Sequence, residues 1–214
     1  MMWKTSALLV SFSLTIGFAQ SIPSTPSTAQ ESGHASLVLP QGQDQAKRSL
    51  RLDGLFFETK QGRTYLPDQL TYDGRALKGS EFVNQAQMPD GRKVSLSVKR
   101  ENRNFLIRLE AQPDAGIVKW GLAADALPDE YYTGLMERVV DGPQRASWAP
   151  DLKNAMDLRG QKVDMIVKPT TSVYAPFYLS SRGYAVFVRG TWPGYFDFAA
   201  ADSQRVRIEF LWIR

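Results

Sequence analysis

Lys93-Val94-Ser95-Leu96-Ser97-Val98-Lys99 and Asn104-Phe105-Leu106-Ile107-Arg108-Leu109-Glu110-Ala111 decide the fold class. Val94, Leu96 and Val98 alternate with Ser95, Ser97 and Lys99. Phe105, Ile107, Leu109 and Ala111 share one side, with Arg108 and Glu110 on the other. Successive strand side chains point to opposite faces, so this period of two describes an antiparallel sheet with one buried and one wet face. Val206, Ile208 and Phe210 repeat the pattern against Arg205, Arg207 and Glu209.

Working outward, turn signals punctuate the chain at Asp53-Gly54, Asp73-Gly74, Asp90-Gly91, Pro113-Asp114-Ala115-Gly116, Asp141-Gly142-Pro143 and Pro193-Gly194. No stretch reads as a long amphipathic helix; Asp151 to Leu158 allows one short helical turn. Short strands separated by regular turns predict an all-β fold, an antiparallel β-sandwich or barrel. No internal repeat of fixed period is present. Between Val140 and Thr171 the alternation lapses, which predicts a long loop at about 141–170. Loops beyond about 12–15 residues are uncommon in compact domains unless they have a role. Projection toward a ligand or neighbouring domain is favoured over a decorated surface loop.

Composition removes several function classes. The 214 residues contain no Cys and one His, so disulfides, thiol nucleophiles, Cys-ligated metals and paired-His zinc sites are excluded. Hydrophobic residues make up 43% and aromatics 11%, enough to bury a core. The 26 Lys+Arg against 22 Asp+Glu leave a net charge of +4, but these cations are dispersed singly. That pattern lacks the clustered footprint of a nucleic-acid binder.

The first nineteen residues read as a secretory signal peptide. Lys4 precedes an uncharged, mostly apolar run from Thr5 to Phe18, and Gly17 and Ala19 place small residues before a cut ahead of Gln20. The run is short for a membrane span, which needs about 20 apolar residues. A retained anchor is the competing reading. No Cys follows to accept a lipid. Residues 20–36, rich in Ser, Thr, Pro and Gln, read as a flexible linker, and the sandwich is expected over 37–214. His34 falls in that linker, which argues against a catalytic or metal role. The expected location is secreted or periplasmic, with no stable membrane insertion.

Two blocks then resemble a known family. Gly134-Leu135-Met136-Glu137-Arg138 is similar to a G-[LF]-x-E-[RH] segment of the N-terminal domain of glycoside hydrolase family 31, which contains α-glucosidases and α-xylosidases. Pro176-Phe177-Tyr178-Leu179-Ser180-Ser181-Arg182-Gly183-Tyr184-Ala185-Val186 is similar to that family's P-F-Y-x-[ST]-x-R-G-Y-G-[VL] strand–turn–strand. Glu130-Tyr131-Tyr132-Thr133 and Asp197 with its flanking aromatics extend the likeness over Gly121 to Phe198.

The resemblance implies a galactose-mutarotase-like supersandwich preceding a (β/α)₈ barrel that carries the chemistry. In that family a carboxylate nucleophile in a W-x-D-M-[NSA]-E segment, and an acid/base Asp, hydrolyse α-glycosidic bonds with retention. Val163-Asp164-Met165 has the Asp-Met pair without the flanking Trp and Glu, so Asp164 reads as a polar loop residue. A barrel needs about 250 residues, and the sandwich uses nearly everything after residue 36. The chain therefore reads as truncated after its last strand. No catalytic residue, metal ligand or cofactor is assigned.

Individual residues keep two readings. Glu137 and Arg138 would face opposite sides of a strand, and Glu137 reads as a buried structural carboxylate. Ser180 to Gly183 reads as a hairpin turn in which Gly183 supplies a conformation and Arg182 pins the turn or a neighbouring domain. Neither Ser180 nor Ser181 has a base to activate it. Trp148 and Trp192 lie outside strand alternation and suit either sugar stacking or local packing, whereas Trp120 reads as core. Asp157 and Arg159 stand where the resembled family carries a substrate-touching N-R-D loop, although Asp157-Leu158-Arg159-Gly160 does not match it.

The function expected is a non-catalytic β-sandwich of an exported α-glycosidase, packing on the barrel and shaping the substrate entrance, with carbohydrate of the α-glucoside or α-xyloside type as partner. The alternative is a free-standing secreted carbohydrate-binding module. An active mutarotase or lyase is disfavoured, because sugar epimerases on this sandwich type resemble each other through catalytic His and Glu residues and the one His here lies in the linker.

Overall fold

The computed structural model describes residues 11–13, 33–40, 49–74, 81–101, 104–136, 157–165, 174–189 and 193–212. These form β1 (Ser11–Ser13), β2 (Leu37–Pro40), β3 (Ser49–Thr59), β4 (Gly62–Tyr65), β5 (Glu81–Gln87), β6 (Lys93–Glu101) and β7 (Asn104–Gln112). They continue with β8 (Ile117–Asp125), β9 (Tyr132–Met136), β10 (Gln161–Met165), β11 (Tyr174–Ser180), β12 (Tyr184–Arg189), β13 (Gly194–Phe198) and β14 (Arg205–Leu211). One sheet has the order β5-β6-β7-β1-β12-β11-β9, the other β10-β13-β14-β8-β3-β2, with β4 also on β3. Strand pairing within both sheets is antiparallel. The fold is the all-β sandwich the alternation predicts.

The deciding stretches pair with each other. Val94 lies opposite Ala111, Leu96 opposite Leu109 and Val98 opposite Ile107, so their apolar sides form one continuous inner surface. Val94, Leu96 and Val98 are fully buried there. The two sheets meet through aromatic rings. Tyr178 of β11 stands edge-on to Phe196 at 5.7 Å and Phe198 at 5.0 Å of β13, and Tyr132 of β9 tilts against Phe198 at 5.1 Å. Burying such a side chain contributes about 1.5–3 kcal/mol, so this seam is a main tie between the layers. Trp120, expected in the core, stacks on Phe210 within it.

Three expectations change. The 141–170 span is not all loop: Gln161–Met165 is a strand on β13, with Val163 and Met165 buried and Lys162 and Asp164 outward. Its alternation is only five residues long and its outward residues are polar, so it is hidden in a polar surround. Asp164 therefore sits on a strand, opposite Tyr195. Asp53-Gly54 is no chain reversal but a bulge within β3, where the register with β8 shifts between Asp53 and Phe56. A glycine at φ 56° serves a bulge as readily as a turn. Just ahead of β2, Ala35 is fully buried and donates its N–H to Leu66 O at 2.8 Å. The one helical turn among the described residues is a 3-10 turn at Asp68–Leu70, and residues 151–156 lie outside them. β1 lies within residues 1–19 and pairs with both β7 and β12.

Candidate functional site

The second motif block folds as the expected hairpin, with β11 and β12 joined by residues 181–183. Its polar residues converge on Glu130, which is 1% exposed. Glu130 Oε1 accepts from Ser180 Oγ at 2.5 Å and Tyr184 OH at 2.8 Å. Oε2 accepts from Leu127 N–H at 3.0 Å and faces Arg182 Nη1 at 3.7 Å. Removing a carboxylate from water costs several kcal/mol unless partners replace the water, and here four groups do. Arg182 also donates to Ser49 O of β3 at 3.1 Å, so it pins one sheet to the other. Ser181 Oγ accepts from Tyr131 N–H, tying the turn to the residue just ahead of β9.

Gly134 sits opposite Tyr178 at φ 125°, where a Cβ would lie 2.5 Å from Phe177 O. Only a glycine allows β9 and β11 to approach so closely. Burial, neighbouring phenols and the Glu130 charge hold the Tyr184 hydroxyl well above its ordinary value. Burial, then Glu130, does the same for Tyr178 and Tyr132. The cluster is a structural lock. The sequence does not single out Glu130 as a buried carboxylate, and Glu137, expected to be one, falls outside the described residues. The signal for Glu130 is its position two residues before the buried Tyr132, in phase with the inward side of β9.

Asp157 and Arg159 serve the same region. Asp157 Oδ1 accepts from the N–H groups of Tyr132 at 3.1 Å and Arg159 at 2.9 Å. The Arg159 guanidinium donates to Glu130 O at 3.1 Å and Ser203 O at 2.8 Å. Their hydrogen bonds run to this chain's own backbone, holding the entry to β10 against β9. Asp197 is buried and accepts from Ala200 N–H at 2.8 Å, shaping the turn between β13 and β14. Glu137, Arg138, Trp148 and Trp192 lie outside the described residues.

Two surfaces remain. On the outer side of the motif hairpin, Phe177 is directly opposite Phe187 and Leu179 opposite Ala185. The two rings meet edge-on at 6.5 Å, and Leu179 is 45% exposed. Alternation sends Tyr178 and Ser180 inward and Phe177 and Leu179 outward, so this sheet is apolar on both faces at this edge. Pro176 is half-buried on the inward side.

The other surface is a hollow of about 400 Å³ on the outer side of β3, β4, β8 and β14. Phe56 lies at its base: a Cβ on Gly121 would fall 2.5 Å from the Phe56 ring, and the Arg63 guanidinium covers that ring at 3.7 Å. Tyr65, paired with Phe56 across β3 and β4, meets it edge-on at 5.9 Å and stacks on His34 at 4.7 Å. Glu209, 5% exposed, accepts from Arg63 at 3.2 Å and pairs with Lys119 at 3.4 Å. Asp53 pairs with Arg51 at 3.4 Å and with Arg205. His34, read from sequence as a linker residue, is thus part of a built surface. Neither His34, Phe56, Tyr65 nor Glu209 was singled out from sequence for binding, because the bulge at Gly54 and the β3–β4 hairpin bring them together. The acids here are neutralised by cations in ion pairs rather than presented as a free pair. Among the described residues, no group of three or more His, Asp or Glu could hold a metal ion, and no helix is long and apolar enough to cross a membrane.

The fold thus defines an all-β antiparallel sandwich with a half-buried Phe177–Phe187 pair beside the exposed Leu179 on one outer side and a polar hollow on the other. No protein-family model and no curated protein matches the sequence. Among solved structures, the chain is similar to a cycloalternan-degrading enzyme from Trueperella pyogenes, at 14% identity and a TM-score of 0.35 over 76% of this chain and 28% of that one. It is also similar to a GH31 dextranase from Flavobacterium johnsoniae complexed with glucose, at 16% identity and a TM-score of 0.32 over 75% of this chain and 22% of that one. The chain spans less than a third of the length of either enzyme.

Proposed function

We propose that this chain is a non-catalytic, carbohydrate-associated β-sandwich of an exported family 31 α-glycosidase, docking on a (β/α)₈ catalytic barrel and shaping its substrate entrance. The observation that carries this reading is the outward Phe177–Phe187 pair with Leu179, an apolar surface on the hairpin whose sequence resembles the family. Apolar groups left outward on a sheet are stabilised by a covering partner. In this reading Asp157 and Arg159 are positioning residues that hold the base of the segment carrying Trp148, and Trp148 and Trp192 are the aromatic candidates for the sugar. Residues 1–19 act as the export leader.

Co-expression of the full chain with a family 31 barrel from the same genome tests the docking role. The two are expected to co-purify, and Leu179→Asp is expected to weaken the complex by about 2 kcal/mol or more, while the chain alone leaves aryl α-glucosides and α-xylosides intact. Failure to co-purify, or turnover by the chain alone, rejects it. The second reading, a free-standing exported carbohydrate-binding module, is favoured by the hollow on the opposite sheet.

A further inference from the structure

We propose that the hollow on the outer side of β3, β4, β8 and β14 binds a neutral saccharide. The proposal rests on the carbohydrate association above for its setting, but the ligand class follows from the hollow's own groups. Its volume, about 400 Å³, lies within the roughly 300–1,000 Å³ typical of small-molecule sites.

Charge decides against an anion. Arg51, Arg63, Arg205 and Arg207 line the hollow, but so do Asp53, Asp202 and Glu209. The cations are engaged with carboxylates in or beside it: Arg51 and Arg205 with Asp53, Arg205 also with Asp125 at 2.6 Å, Arg63 with Glu58 and Glu209 at 3.2 Å. A phosphate or sulfate would have to displace these partners. A polyol does not. Its hydroxyls both donate and accept, and so can be inserted among alternating guanidinium donors and carboxylate acceptors without leaving any charge unpaired.

The loosest pair stands at the rim, where Arg207 Nη2 and Asp202 Oδ2 are 3.9 Å apart and both side chains are more than 40% exposed. That spacing suits a bridging hydroxyl. Gln204 lies beside them with a side-chain amide that offers both a donor and an acceptor. The His34–Tyr65 stack supplies the flat wall on which the C–H face of a sugar ring packs, and Tyr65 is 39% exposed. Phe56, clamped between Gly121 and Arg63, keeps the base rigid. Preorganised walls lower the ordering cost of binding.

Calorimetric titration of the full chain with maltotriose, with isomaltotriose and with inorganic phosphate tests this. At least one trisaccharide is expected to bind saturably, with little dependence on salt because it carries no charge. Tyr65→Ala and Arg207→Ala, both at exposed positions, are each expected to weaken it by about tenfold or more. Leu179→Asp on the opposite sheet is expected to leave it unchanged, so loss of docking and loss of saccharide binding are read separately. Absence of saturable binding by either trisaccharide overturns the proposal. So does binding that survives both hollow variants, or phosphate that competes for the site.

Discussion

The Tyr184 hydroxyl donates to Glu130 Oε1 across 2.8 Å, joining residues 54 positions apart in the chain. Ser180 adds a second donor from the same hairpin, and Arg182 a charge. This convergence explains physically why a Glu-Tyr-Tyr-Thr segment and a Ser-Ser-Arg-Gly-Tyr turn belong together: each satisfies polar groups the other would strand in the core.

Glu130→Ala is expected to destabilise the fold by about 3–5 kcal/mol, since it strands Arg182 and two hydroxyls. Tyr184→Phe should cost less, about 1.5–3 kcal/mol, the range for a hydrogen bond to a charge. A double-mutant cycle by urea unfolding checks the coupling; additive losses would mean the contact contributes nothing of its own.

Asp157→Ala leaves the Tyr132 and Arg159 N–H groups without their acceptor. A stability loss of about 1–3 kcal/mol is expected, and Asp157→Asn, which keeps a side-chain oxygen, should recover much of it. Thermal melts of the two variants measure the difference.

Alkaline titration reports on the aromatic seam. Tyr132, Tyr178 and Tyr184 are all held above their ordinary value, chiefly by burial. The unfolded phenols ionise near pH 10 while the folded ones stay protonated. Stability is therefore complete below about pH 10 and falls as pH rises beyond it, because the unfolded state then holds fewer protons. Phenolate absorbance should lag in the folded chain and jump on unfolding. A full tyrosine titration before unfolding would contradict this burial.

The proposed export leader contains β1. Under the proposed reading, N-terminal sequencing of protein recovered outside the cell is expected to begin at Gln20, and a chain starting there lacks β1, the strand between β7 and β12. The 20–214 chain should melt below the full-length chain, by roughly 2–4 °C for each kcal/mol of lost pairing. Equal melting temperatures would mean that β1 contributes no net stability.

Local pattern carried a large part of the fold into view. Val94 to Val98, Phe105 to Ala111 and Val206 to Phe210 read as strands because period-two alternation is a property of neighbours in the chain. The hairpin at residues 181–183 was legible for the same reason. β10 was not, since Gln161 to Met165 is short and sits among polar residues whose pairing with β13 appears only in three dimensions.

What the residues alone determined is the all-β class, the alternating core, the motif hairpin and the exclusion of cysteine and paired-histidine chemistry. Those depend on composition and on spacings of a few residues. That Glu130 is buried, which way Phe177 and Phe187 face together, and that His34 meets Tyr65 beside Phe56 were decided by tertiary structure. Each depends on register between strands distant in sequence, and a bulge at one glycine changes which side chains share a surface.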